Sequence, residues 1–217
     1  MTRRNRYSNN DINEWFEHSV DLKGRRIYLS SVTFDSDGNE EGVNSLMVEF
    51  AIKSLELMKS RRKRVLIIMN NIGGDELHGL AIYDAIRDFP VPVDIEVYGH
   101  AMSMGAVILQ AGRKRLLHPN STLMIHEGYS SGENRPYPSA VNWAKHEAYV
   151  NKRIHEIFAE RSGKYPSYWK RKCSHDYLMV PEEAVKEGLA DKILYPVRAL
   201  PCRKSENKSK KYQKNTR

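Results

Sequence analysis

The sequence predicts an α/β fold with a largely parallel sheet, and three observations carry that expectation. Strand-like and helix-like stretches alternate along most of the chain, the order that a parallel sheet with crossover helices requires. The run Arg64-Val-Leu-Ile-Ile-Met69 is continuously apolar, as a strand covered on both faces is. Glycine and proline punctuate the joints, at Gly73-Gly74, Phe89-Pro-Val-Pro92, Gly163 and Gly188.

The elements follow in order. Arg25–Ser30 reads as a first strand, after a short helix or turn at Asn13–His18. Asp35-Ser-Asp-Gly-Asn-Glu40 is turn chemistry. From Glu41 to Lys59, Val43, Leu46, Met47, Phe50, Ala51, Leu55 and Leu57-Met58 keep the three-and-four spacing of an amphipathic helix. The apolar strand 64–69 runs into Asn70-Asn-Ile-Gly-Gly-Asp75. Adjacent glycines permit positive φ and close backbone approach, and Asp75 can cap the next helix, which carries Leu77, Leu80, Ala81 and Ala85. No phosphate-loop pattern occurs. Val93, Ile95 and Val97 alternate with Asp94, Glu96 and Tyr98, the period of a half-buried strand. Gly105–Gly112 reads as a short buried helix. Two short strands, 113–117 and 121–125, come next, then a Ser/Gly/Pro-rich loop from Tyr129 to Pro138. The longest helix spans 139–161, with Ser162-Gly163 as its C-cap. A short aromatic-basic helix within 165–174, a helix 181–188 opened by proline and closed by glycine, and a last strand at 191–195 complete the body.

With 217 residues the chain can bury one substantial core, or two small ones. Its 40% hydrophobic and 29% charged residues are those of a soluble globular protein. No run of eighteen apolar residues exists, and the N-terminus is polar, so neither a spanning helix nor a signal peptide is expected. Cys173 and Cys202 have no metal-type spacing and form no disulfide framework, which fits a reducing cytoplasm. The net charge of +8 resembles a nucleic-acid signature until it is located. Residues 198–217 contribute +7 and residues 1–6 contribute +3, leaving −2 for the body. Basic ends of such polar composition read as solvated, disordered tails, so nucleic acid is not an expected partner, and neither is a membrane.

Ser103 lies where the alternating strand gives way to the buried helix, with the small residues Ala101 and Gly105 two positions to either side. Such a junction exposes a hydroxyl and offers unpaired N–H groups at the helix start, which is what a nucleophilic serine needs. A helix-capping serine fits the same stretch, and both readings stay open on these residues alone. Acyl transfer at serine also needs a base and a group to orient it. His126 closes the strand 121–125. His18, His78, His100, His118, His146, His155 and His175 have no comparable placement, and periodicity does not choose among the acids.

Five segments decide further: Asn-Asn-Ile-Gly-Gly-Asp (70–75), Gly-Leu-Ala-Ile-Tyr-Asp (79–84), Ala-Met-Ser-Met-Gly-Ala (101–106), Pro-Asn-Ser-Thr-Leu-Met-Ile-His (119–126) and 175–193, His-Asp-Tyr-Leu-Met through Leu-Ala-Asp-Lys-Ile. In this order and spacing they resemble the Clp protease proteolytic subunits, from about residue 15 to 196. The resemblance implies a crotonase-like spiral of ββα units with helix 139–161 as a protruding handle. It implies Ser103 as nucleophile, His126 as general base and Asp176 as the acid that orients it. Gly74 and Met104 match the backbone N–H donors of the oxyanion hole, and no cofactor or metal is implied. A homo-oligomer is implied, a heptameric ring or two stacked rings, with unfolded polypeptide fed by an AAA+ ATPase. The catalytic domain would span 15–196, between a flexible basic segment 1–14 and a basic tail 197–217. The chain departs from the family pattern at Ile72, at Glu127-Gly128, and at Ser174-His175, where many members carry an Asp-Arg pair that couples the rings. Two other functions compete: a crotonase-fold enzyme acting on acyl-CoA thioesters, and a non-catalytic ring subunit or scaffold. An intact Ser103, His126 and Asp176 set favours the serine endopeptidase over both.

Overall fold

The computed structural model describes residues 19–30, 41–59, 63–128 and 136–195, with Ser8 and Asn13 besides. The turn expected at 35–40, the loop at 129–135 and both basic ends lie outside the described residues, as does nearly all of the helix or turn expected at 13–18.

A mixed sheet of eight strands organises the chain: β1 (Val20–Asp21), β2 (Arg26–Ser30), β3 (Val65–Asn71), β4 (Val93–Met102), β5 (Arg115–Leu117), β6 (Thr122–Ile125), β7 (Tyr177–Met179) and β8 (Lys192–Ile193). The central path runs β1-β2-β3-β4-β5-β8, parallel from β2 onward, with β1 antiparallel at its edge. Six helices are described: α1 (Ser45–Met58), α2 (Glu76–Arg87), α3 (Met104–Leu109), α4 (Tyr137–Ser162), α5 (Pro166–Lys172) and α6 (Pro181–Glu187). The alternating α/β order read from the sequence is therefore the order observed.

The sheet divides along β4. Its first half, Ile95–Val97, pairs with β5; its second half, His100–Met102, pairs with β6. Gly99 marks the break, with φ of 70° and so little room that a Cβ there would come within 2.5 Å of Asn70 Oδ1. One long strand thus feeds two layers, and β7 extends the second by pairing antiparallel with β6.

Three elements differ in part from their sequence reading. Strand β4 buries Val93, Ile95 and Val97 and exposes Tyr98 as expected, but Asp94 is also buried, held by Arg64 at 3.1 Å and by Arg113 at 3.1 Å, so its charge is paired rather than solvated. Helix α2 buries Gly79, Ile82, Tyr83 and Ile86, while Leu77 is exposed; the buried stripe is rotated from the expected one, and Gly79 packs on Met104 of α3. In α1, Ala51, Ser54, Leu55 and Met58 are buried, and Leu46 and Leu57 are left outside.

The caps are those the residues suggest. Asn44 accepts the Met47 N–H, Asp75 accepts the His78 N–H, and Gly163 and Gly188 end α4 and α6 with φ of 72° and 83°. No residue of α4 from 137 to 149 is buried; burial begins at Val150 and continues through Ile154, Ile157 and Phe158 onto Trp169 of α5. The first half of this helix therefore projects from the core, as a handle would. Among the described residues no helix is long and apolar enough to cross a membrane.

A polar knot ties β8 to the sheet. Arg115, 5% exposed, binds Asp191 through Nη2 at 2.5 Å and Nε at 3.2 Å, and reaches Gln110 Oε1 and the Gly188 carbonyl. Burial opposes charging Asp191, but the bonds from Arg115 outweigh it and hold its pKa below the ordinary value. Asp191→Ala is expected to cost roughly 2 to 3 kcal/mol at neutral pH, at the low end for a broken pair because Asp191 is 37% exposed. A depressed carboxyl stabilises above its unfolded value near ~3.9 and loses that contribution as pH falls through its native pKa. Urea melts at pH 7 and at pH 3 should therefore differ less for the variant than for the wild type.

Candidate active site

Three strand ends meet where β4, β6 and β7 lie side by side. Met102 pairs with Met124 in the parallel ladder, and the Ser103 N–H donates to the Met124 carbonyl at 2.8 Å. Ile125 pairs with Tyr177 in the antiparallel ladder, so the next facing residues are His126 and Asp176. Register thus aligns His126 with Asp176, whereas Ser103 falls opposite Ile125, one residue short of His126, and the turn into α3 brings its side chain to the imidazole.

Ser103 turns the chain from β4 into α3 with φ 51° and ψ −120°, a strained conformation for a residue with a Cβ. It stands at the N-cap position, yet its side chain makes no capping bond. Instead Oγ lies 2.9 Å from His126 Nε2, and His126 Nδ1 lies 3.1 Å from Asp176 Oδ1. The capping reading left open by the sequence is thus not the one observed. The imidazole is mostly covered, 14% exposed, whereas Asp176 is 55% exposed.

The glycine loop packs on this turn. Asn71, fully buried, accepts the Gly73 N–H at 2.8 Å. Val43 binds the loop in both directions, its N–H donating to the Gly73 carbonyl and its carbonyl accepting the Asp75 N–H. Gly73 and Gly74 have φ of 100° and 143°. A Cβ on Gly73 would stand 2.5 Å from Ser103 Cβ and 2.8 Å from the Met102 carbonyl, so only glycine fits. Among the described residues no backbone acceptor takes the Gly74 N–H. The Met104 N–H, first in α3, has no partner within its helix by position. Both belong to segments that pack directly against Ser103.

Other histidines are engaged elsewhere. His118 Nε2 lies 2.7 Å from Glu96 Oε1 and its ring stacks on Tyr98, while His155 is buried on α4 with Glu127 at 3.8 Å. Burial is the main cause that lowers the His155 pKa. Cys173 is buried beside Glu127, and burial pushes its thiol up to about 12, which leaves it inert at neutral pH.

Three neighbours of the site escaped the sequence reading. Val43 and Asn71 fix the glycine loop, and Glu76, first residue of α2, sits beside Gly128. For Asn71 a signal existed: two amides end an otherwise apolar strand, and a buried amide must find partners.

Comparison with known proteins places the chain in a family. The family described as Clp protease matches residues 22–196. The chain belongs to the Clp protease family. It is similar to the ATP-dependent Clp protease proteolytic subunit of Deinococcus radiodurans, 35% identical over 156 residues, covering 70% of this chain and 76% of the relative. Clp family membership makes the chain a peptidase, a hydrolase of peptide bonds, and favours neither the thioester enzyme nor the scaffold. The mixed eight-stranded sheet with six described helices is consistent with the Clp fold.

Proposed function

We propose that this Clp-family peptidase is a serine endopeptidase with Ser103 as nucleophile, His126 as general base and Asp176 as its orienting acid. The observation that carries the reading is the unbroken line from Ser103 Oγ to His126 Nε2 to Asp176 Oδ1, at 2.9 and 3.1 Å. With Asp176 accepting from Nδ1–H, Nε2 is left as the lone-pair nitrogen that accepts the Ser103 hydroxyl proton. Oγ then attacks the peptide carbonyl, and the oxygen takes on charge between the Gly74 and Met104 N–H groups. His126 returns the proton to the leaving amine, and water, activated by the same base, releases the acyl chain. The reaction takes no cofactor.

Asp176→Asn removes the acceptor that fixes the imidazole tautomer. Turnover of an unstructured peptide is expected to fall by up to ~10⁴-fold, with KM little changed. Retained turnover would reassign the acid.

We infer further that residues 15–196 form the catalytic domain, between the basic ends 1–14 and 197–217. The domain assembles as a homo-oligomeric ring, heptameric or as two stacked rings, supplied with unfolded polypeptide by an AAA+ ATPase. Enclosure is what prevents an accessible serine site from digesting folded neighbours. The projecting half of α4, with Tyr137, Trp143 and Tyr149 exposed, and the exposed Leu46 and Leu57 of α1 support an assembled form. The Deinococcus relative's name, an ATP-dependent proteolytic subunit, supports the ATPase. Sedimentation of the full-length chain, alone and with such an ATPase, tests both.

A further inference from the structure

Beside the segment that follows the proposed base stands a carboxyl group with no assigned role. Glu76 opens α2, two residues after Gly74, on the segment that packs against Ser103. Its Oε1 fills the space that a Cβ on Gly128 would need, and Gly128 lies two residues beyond His126. The carboxyl is therefore held between the two backbone segments that flank the reacting atoms. It is half-buried, and no hydrogen bond or ion pair engages it among the described residues. Burial raises its pKa above the ordinary carboxylate value, and the charges of Glu147 and Asp75 raise it further, against the opposing effect of His126 and His146.

A half-buried carboxylate without a partner is costly, and a cation brought to it gains a charge-assisted bond. The position of Glu76 says which cation can reach it. With the scissile carbonyl held between the Gly74 and Met104 N–H groups, as the serine reading requires, and the leaving amine towards His126 Nε2, the acyl-side substituent would fall on the side of the Gly74 segment, which runs into α2 and Glu76. We propose that Glu76 sets specificity, selecting lysine or arginine as the residue that contributes the scissile carbonyl. The inference rests on the serine reading above. Glycine at 128 is part of the device, because any side chain there would displace the carboxylate from the cleft.

The test compares two fluorogenic peptides ending in a coumarin amide and differing only in the residue joined to it, lysine or leucine. Such substrates present no side chain on the leaving side. For the full-length chain, kcat/KM is expected to favour lysine by at least about tenfold. Glu76→Gln, nearly isosteric, should abolish that preference while changing the leucine substrate by less than about threefold. A wild type that favours leucine, or a ratio untouched by Glu76→Gln, would overturn the assignment. Reaction of both proteins with a fluorophosphonate separates the two readings. An adduct on Ser103 without lysine preference overturns the role of Glu76 alone; no adduct and no turnover overturns the serine reading and this inference with it.

Discussion

Ser103→Ala is expected to lower peptide hydrolysis by about 10⁶-fold and to leave the fold in place. The chemical part follows from the line of hydrogen bonds: without Oγ there is nothing for His126 Nε2 to deprotonate, and the N–H groups of Gly74 and Met104 can only polarise a carbonyl that nothing attacks. The structural part follows from the backbone. Ser103 holds φ 51° because the ladder with Met124 and the start of α3 hold it there, and alanine carries the same strain. Only one hydrogen bond is lost, worth ~1 kcal/mol, so Tm should move by about 2–4 °C. A peptide-cleavage assay beside a thermal melt checks both. A variant that melts normally but retains turnover would place the nucleophile elsewhere.

Gly73→Ala is expected to be nearly as informative through backbone alone. The added methyl group would meet Ser103 Cβ and the Met102 carbonyl, neither of which can rotate away, at a φ of 100° that alanine rarely adopts. The loop must move off the Ser103 turn, and it carries the Gly74 N–H with it. Loss of one oxyanion donor costs ~10²–10³-fold in kcat, with KM much less affected. Because Val43 and Asn71 anchor the same loop, stability should fall too, by roughly 1–3 kcal/mol. Single-turnover kinetics on an activated ester would separate the two effects, since acylation should slow in the fraction that remains folded.

Much of the fold was legible in the sequence because its signals are local. The apolar run before Asn70 forms a central strand, Asp75 caps the helix after it, and Gly163 and Gly188 end helices in left-handed backbone, each as residue chemistry requires. The inward faces were less legible. Asp94 looks like a solvent-facing strand residue until Arg64 and Arg113, brought in from either side of β4, neutralise it. Leu46, Leu57 and Leu77 fit helical spacing yet lie outside the core of this chain, and apolar pattern cannot distinguish a residue kept for the core from one left for another surface.

The candidate site divides the same way. Ser103 and His126 end strands with recognisable patterns. Asp176 precedes β7, only three residues long, which has no period to read; family resemblance was needed to single it out. Glu76 gave no signal, because an acid in the first turn of a helix is what the helix dipole already favours. Its packing against Gly128 joins segments far apart in the chain, and only the fold brings them together.

The central claim is that Ser103 is an activated nucleophile. Intact mass after exposure to a fluorophosphonate, wild type beside Ser103→Ala, tests it most directly. The account predicts one covalent adduct per chain on the wild type and none on the variant. An assembled wild type that gains no adduct, or a variant that gains the same one, would contradict it.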